Sequence, residues 1–204
     1  MRHIIYVDGS VGVGKSTFID ILHRTFASVL MVLDQNRSKS SHHFNVEVLP
    51  EPLHRDWTNR IVDNLGYENL LKFLLVRKIV AIETWSFGIA SDGMQELENN
   101  VLIVERSLLG DRRVNKGCEE MFSDMDVKYA GASVHYIFIK NLERENAIGA
   151  VEDEQERLNM LYNRMELELG VGNSTSSVHR IKRPRHISSY YSEAAAIVRK
   201  VLGL

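Results

Sequence analysis

The chain lacks most of the features that mark whole classes of protein. It holds one cysteine, Cys118, in 204 residues, so no disulfide can close within it and a bridge-stapled scaffold is excluded. That thiol reads as a small packed side chain, suited to a reducing compartment. There are only three prolines, at positions 50, 52 and 184, which rules out an extended proline-rich chain. Formal net charge is −2, so no strongly basic field draws the chain to nucleic acid or to an anionic membrane. No apolar run reaches the roughly 18 residues of a membrane span, and the first residues read as a core strand instead of a cleavable leader. The expectation is an unprocessed cytoplasmic protein that works on small molecules.

What is present is ordinary globular composition, 44% hydrophobic and 25% charged, enough to core a single domain over residues 1–204. Five short apolar or β-branched runs stand out: HIIYV (3–7), NVEVL (45–49), NVLIVE (100–105), SVHYIFI (133–139) and SVHRI (177–181). Several are apolar at nearly every position, as strands are when helices cover both faces of a parallel sheet. Longer stretches between and after them, at 15–27, 59–97, 111–130, 141–169 and 189–202, have the length and periodicity of helices. In ENLLKFLLVRKIVAIETW, apolar residues crowd more than one face, which predicts a helix buried on several sides or used at a subunit contact. Alternation of β and α predicts an α/β fold, doubly wound, with ligands outside the strand C-termini.

At the first strand end, Gly9 to Ser16 satisfies G-x-x-x-x-G-K-[ST], between a predicted strand and a predicted helix, the context in which that pattern holds phosphates. Gly9, Gly12 and Gly14 let the backbone bend, so that N–H groups from Ser10 to Thr17, Val13 included, converge on phosphate oxygens at a helix start. Lys15 would neutralise the distal phosphates, Ser16 would ligate Mg²⁺, and Thr17 would contact the first phosphate. A nucleoside triphosphate, ATP or a relative, is the expected ligand. A GTPase is not: Asn115-Lys116-Gly117-Cys118 lacks the guanine-reading aspartate, and Asp63-Asn64-Leu65-Gly66 has no strand before it.

Two further strand ends carry charge. VEVLPEPLHRDW puts Glu51 just past the second strand, and VLIVERSLLGDRR puts Glu105-Arg106-Ser107 at the end of the third. With these in place the chain resembles the deoxyribonucleoside kinases, which include deoxycytidine and deoxyguanosine kinases and herpesviral thymidine kinases. Three ordered motifs carry the likeness: the P-loop, Glu51-Pro52 followed by Trp57, and Glu105-Arg106-Ser107 followed by Asp111-Arg112. The resemblance implies a P-loop kinase with a five-stranded parallel sheet flanked by helices, a short lid near 143–156, and homodimers paired through long helices. It implies a reaction in which ATP and Mg²⁺ phosphorylate the 5′-hydroxyl of a deoxyribonucleoside. Glu51 would be the base that takes the hydroxyl proton, Arg106 would align it and stabilise the transferring phosphoryl, and Glu105 would hold Mg²⁺. Trp57 would pack near the nucleoside, Tyr67 and Glu154 would reach the sugar 3′-hydroxyl, Arg144 would face the triphosphate, and Asp111 would accept from an exocyclic amine, which thymine lacks.

The chain also departs from that pattern. The family reads the base with a glutamine in its long helix, whereas residues 69–85 contain none, with Leu75 or Lys78 nearest its place. The lid of the family carries several arginines, whereas NLERENAIGAVEDEQ offers only Arg144. The basic run HRIKRPRH (179–186) is another source of cations, though it also reads as a strand edge and base-binding loop. Two alternatives therefore stand beside the main reading. One is a thymidylate-type monophosphate kinase, with Arg55, Arg60 or Arg112 facing the acceptor phosphate. The other is a nucleotide-binding protein with weak or no catalysis.

Overall fold

A computed structural model describes residues 2–9, 12–36, 45–51, 66–91, 100–108, 132–140, 160–161, 163–165, 167, 176–182 and 186–204, with 34, 36, 67, 68, 71, 87–91 and 176 described in the main chain only. Five strands, β1 (Arg2–Gly9), β2 (Asn45–Leu49), β3 (Asn100–Glu105), β4 (Ser133–Lys140) and β5 (Ser176–Lys182), form one sheet in the order β2-β3-β1-β4-β5. Every pairing is parallel. Among the described residues three long helices accompany them: α1 (Lys15–Asn36), α2 (Tyr67–Ser91) and α3 (Ser188–Leu202).

The strands follow from their side chains. Successive residues of a strand face opposite sides, and here both sides are buried. Ile5, Val7, Val101, Ile103, Ile137 and Ile139 pack with Phe18, Leu22, Phe26 and Leu30 of α1 and with Ala194 and Val198 of α3. The alternate residues Ile4, Tyr6, Leu102, Val104, Tyr136 and Phe138 meet Leu75, Ile82 and Trp85 of α2, with Met165 from the helical residues near 160–167. Within that second layer the Tyr6 and Tyr136 rings stack with centroids 5.3 Å apart. Burial of both faces explains why β3 is buried at all six positions while the edge strand β2 is not.

Helix bounds differ from the sequence reading in two places. The first helix runs to Asn36, well beyond the expected end at 27. Thr25 and Ser28, residues that often leave helices, here satisfy their hydroxyls within it, on the carbonyls of Ile21 (2.7 Å) and Arg24 (2.8 Å). The second does not run unbroken through 59–97, because Gly66 stands outside the helix with φ +78°; it covers Tyr67–Ser91, with the Leu70 N–H on the Gly66 carbonyl (3.2 Å) as its opening bond, and residues 59–65 lie outside the described residues. Residues 92–97 and the expected helix at 111–130 lie outside the described residues. Lys15–Leu33 is long and apolar enough to cross a membrane by length and composition alone; core helices pass the same test, and Phe18, Leu22, Phe26 and Leu30 of this one are buried against the sheet.

With all strands parallel, their C-terminal ends share one edge. The chain leaves β1 toward β2 on one side, and the β3-to-β4 connection passes to the other, so the topological switch falls at the end of β1. Open α/β sheets bind ligands at such a point.

Candidate functional site

At that edge β1 ends in Val7-Asp8-Gly9, and the chain turns into α1 through Gly12, Val13 and Gly14; Ser10 and Val11 lie outside the described residues. Two glycines are sterically required. A Cβ on Gly9 would sit 2.6 Å from the Ile139 carbonyl oxygen, so only glycine lets β1 finish this close to β4. Gly14 has φ +91°, and a Cβ there would stand 3.0 Å from the Tyr190 hydroxyl. That hydroxyl donates to the Val13 carbonyl at 2.9 Å, so α3 buttresses the turn from behind.

Lys15, buried at the start of α1, donates from Nζ to the Gly9 carbonyl at 3.0 Å and so spans the turn. Burial and the Arg106 guanidinium push its pKa below the ordinary range, while Glu51, Glu105 and Asp8 pull it back up. The next residue, Ser16, donates from Oγ to Glu105 Oε1 at 3.0 Å. The other oxygen of Glu105, Oε2, accepts the Glu51 N–H at 3.3 Å. Glu51 in turn pairs through Oε1 with Arg106 Nη1 at 3.4 Å. Lys15, Ser16, Glu51, Glu105 and Arg106 thus form one connected cluster on the ends of β1, β2 and β3. The register supports it, because Val7 lies opposite Glu105 and Leu49 opposite Val104, bringing the three strand ends level.

Arg106 follows β3 in a left-handed conformation, φ +63°, at a cost on the order of 1 kcal/mol for a residue with a Cβ. Bonds on both sides hold it there. Its N–H donates to Val7 O at 2.9 Å and the Ser107 N–H to Asp8 Oδ1 at 3.0 Å. From α2, the buried Lys78 ammonium donates to the carbonyls of Glu105 (3.3 Å) and Arg106 (3.2 Å). Burial raises the Asp8 pKa, opposed by its bonds to Ser107 and by the positive charges of Lys78 and Arg106. Neither Asp8 nor Tyr190 stands out in the sequence, and Lys78 is one of three cations, with Lys72 and Arg77, in an otherwise apolar stretch.

The cluster can accept a proton at Glu51, stabilise anionic charge with Lys15 and Arg106, and offer oxygen ligands to a cation. For the last, the 3.0 Å between Ser16 Oγ and Glu105 Oε1 matches the separation of about 3 Å between adjacent ligands of an octahedral Mg²⁺ with bonds near 2.1 Å. Among the described residues no group of three or more His, Cys, Asp or Glu side chains gathers as a metal site.

The other predicted contacts fall elsewhere in the sequence. Trp57, Asp111, Arg144, Glu154 and the lid at 143–156 lie outside the described residues, as does the Tyr67 side chain, whose main chain opens α2. Thr17 is exposed in the first turn of α1. No protein-family model matches the chain, and no curated protein matches it either.

Proposed function

We propose that the chain is a P-loop phosphotransferase that moves the γ-phosphoryl of ATP to the 5′-hydroxyl of a deoxyribonucleoside, a step of nucleotide salvage. One observation supports this above the rest: the Glu51 carboxylate is paired with Arg106 at 3.4 Å and joined through Glu105 to Lys15-Ser16 at one sheet edge. A sugar hydroxyl is a poor nucleophile, and a carboxylate beside it removes its proton as the oxygen attacks phosphorus. In this reading Glu51 takes that proton at a carboxylate oxygen while the bond from the γ-phosphorus to its bridging oxygen breaks and ADP leaves. Arg106 holds Glu51 in place before reaction and faces the charge on the moving phosphoryl group, work suited to a permanently charged planar fork.

Lys15 exchanges the Gly9 carbonyl for a phosphate oxygen, and the N–H groups of the turn and of the first turn of α1, through Thr17, complete the cradle. Ser16 and Glu105 would hold Mg²⁺, which supplies neutralisation of phosphate charge. Contacts to base and sugar are assigned to Trp57, Tyr67, Asp111 and Glu154, and Arg144 is assigned to the lid. The exposed stripe of Phe73, Val76 and Val80 on α2 supports pairing of two copies through that helix.

The test is a panel of the four deoxynucleosides and their four monophosphates, each incubated with ATP, Mg²⁺ and purified protein and read by mass spectrometry. A monophosphate should form from at least one deoxynucleoside. Diphosphate products alone would replace this reading with the monophosphate kinase, and ATP binding without any product would replace it with a nucleotide-binding protein.

A further inference from the structure

Lys78 sits in the middle of α2 with only 7% of its surface exposed, in a stretch of helix whose neighbours Leu75 and Ile82 belong to the apolar core. A cation is costly there, and a methionine of similar length would fill the same space without that cost. The position of its ammonium gives a reason for it. In an extended strand consecutive carbonyls point to opposite sides, so one side chain does not reach two in a row. At Arg106 the backbone reverses into the left-handed region, φ +63°. The carbonyls of Glu105 and Arg106 then turn to the same side and meet Nζ at 3.3 and 3.2 Å. The opposite side of the bend is fixed to β1 by the N–H groups of Arg106 and Ser107, on Val7 O (2.9 Å) and Asp8 Oδ1 (3.0 Å).

The bend decides where two side chains go. Just before it, Glu105 points its carboxylate to Ser16 and to the Glu51 N–H; at it, Arg106 swings its guanidinium to the Glu51 carboxylate. Were the residue in the extended region, its side chain would leave in another direction. We propose that Lys78 is a positioning residue of this site, whose buried ammonium clamps both carbonyls of the Glu105–Arg106 bend and so aims Arg106 at Glu51. The kinetic consequence rests on the phosphoryl-transfer reading; the structural one does not.

Two measurements separate these. In the crystal structure of Lys78→Met, residue 106 should leave the left-handed region and the Arg106–Glu51 pair should open beyond contact. A variant that keeps both the bend and the pair overturns the proposal whatever the activity. In kinetics, Lys78→Met should lower kcat about tenfold or more and leave KM for ATP within about threefold, with most of the loss restored by Lys78→Arg. In an Arg106→Ala background the same substitution should lower kcat no further, because its effect passes through Arg106. An undiminished loss in that background overturns the proposal by assigning Lys78 a merely structural role. If Lys78→Met does not fold, Lys78→Gln carries both comparisons, because its shorter amide cannot reach both carbonyls. Wild-type protein that phosphorylates no acceptor would sink the proposed function alone, leaving the structural comparison to decide on Lys78.

Discussion

Mild acid should destabilise this protein through a row of imidazoles that crosses β1, β4 and β5. His3 Nδ1 lies 3.1 Å from His135 Nε2, His135 Nδ1 lies 2.6 Å from Ser177 Oγ, and that hydroxyl lies 3.0 Å from His179 Nε2. His135, which uses both ring nitrogens here, donates through one and accepts through the other while it is neutral. An added proton makes two donors face each other. Burial first, then the cations and imidazoles around them, Lys200 of α3 included, lowers His3 to about 4, His135 to about 3 and His179 to about 4, from an ordinary 6.5.

Because the folded values lie below the unfolded one, the stability is intact above pH 6.5 and is lost as pH falls toward 4. In that window the unfolded chain binds protons that the folded chain refuses, worth up to about 1.4 kcal/mol per pH unit for each ring. At pH 5 three independent, fully buried rings would lose about 6 kcal/mol. Mutual coupling and the partial exposure of His179 to solvent reduce this to roughly 3 kcal/mol, a large part of a total near 5–15 kcal/mol. That corresponds to a fall in Tm of about 6–12 °C between pH 7.5 and pH 5 for a chain of this size. Carboxylates also respond to acid, so the comparison is with His135→Gln, whose amide still bonds but does not titrate. Calorimetric scans at half-unit steps should show the variant losing about a third less than wild type. Identical losses in the two proteins, or a wild-type Tm that does not move above pH 5, would refute the reasoning.

Three further outcomes follow from the site and the helices. Glu51→Gln should leave ATP affinity within about twofold and reduce turnover by roughly a hundredfold or more; titration calorimetry and single-turnover kinetics read the two, and unchanged turnover removes Glu51 from its role. Gly14→Ala forces a Cβ toward the Tyr190 hydroxyl in a left-handed backbone, so nucleotide affinity should drop about tenfold or more, whereas Tyr190→Phe should cost only the bond to Val13 O, about 1 kcal/mol. Val80→Glu, placing charge in the exposed stripe of α2, should convert a sedimenting pair into single chains. A wild-type protein that already sediments as one chain would dispose of that interface.

The sheet was legible in the sequence because its strands are buried on both faces. Runs such as NVLIVE cannot hide their character, and β2 and β3 coincide with the expected ranges while the other three differ by one or two residues at their ends. Helix ends were less so, since the back-bonding of Thr25 and Ser28 depends on the helix already being there. Glu51, Glu105 and Arg106 could be found because acids and an arginine at strand ends are out of place in an apolar pattern. Their mutual bonds could not, nor could Asp8, Tyr190 or the histidine row. His3, His135 and His179 read as three unrelated residues in three strands until parallel pairing sets β1, β4 and β5 side by side.

The lysine of the glycine-rich turn carries a last implication. Its ammonium already rests on the oxygen of Gly9, so an incoming anion enters by exchange and not by addition. A lone chloride or acetate trades one modest attraction for another and gains little hold. On the proposed reading a chain of linked phosphates, able to engage the ammonium and the neighbouring amides together, would recover the exchange several times over, and the turn would then sort its guests by how many oxygens they bring.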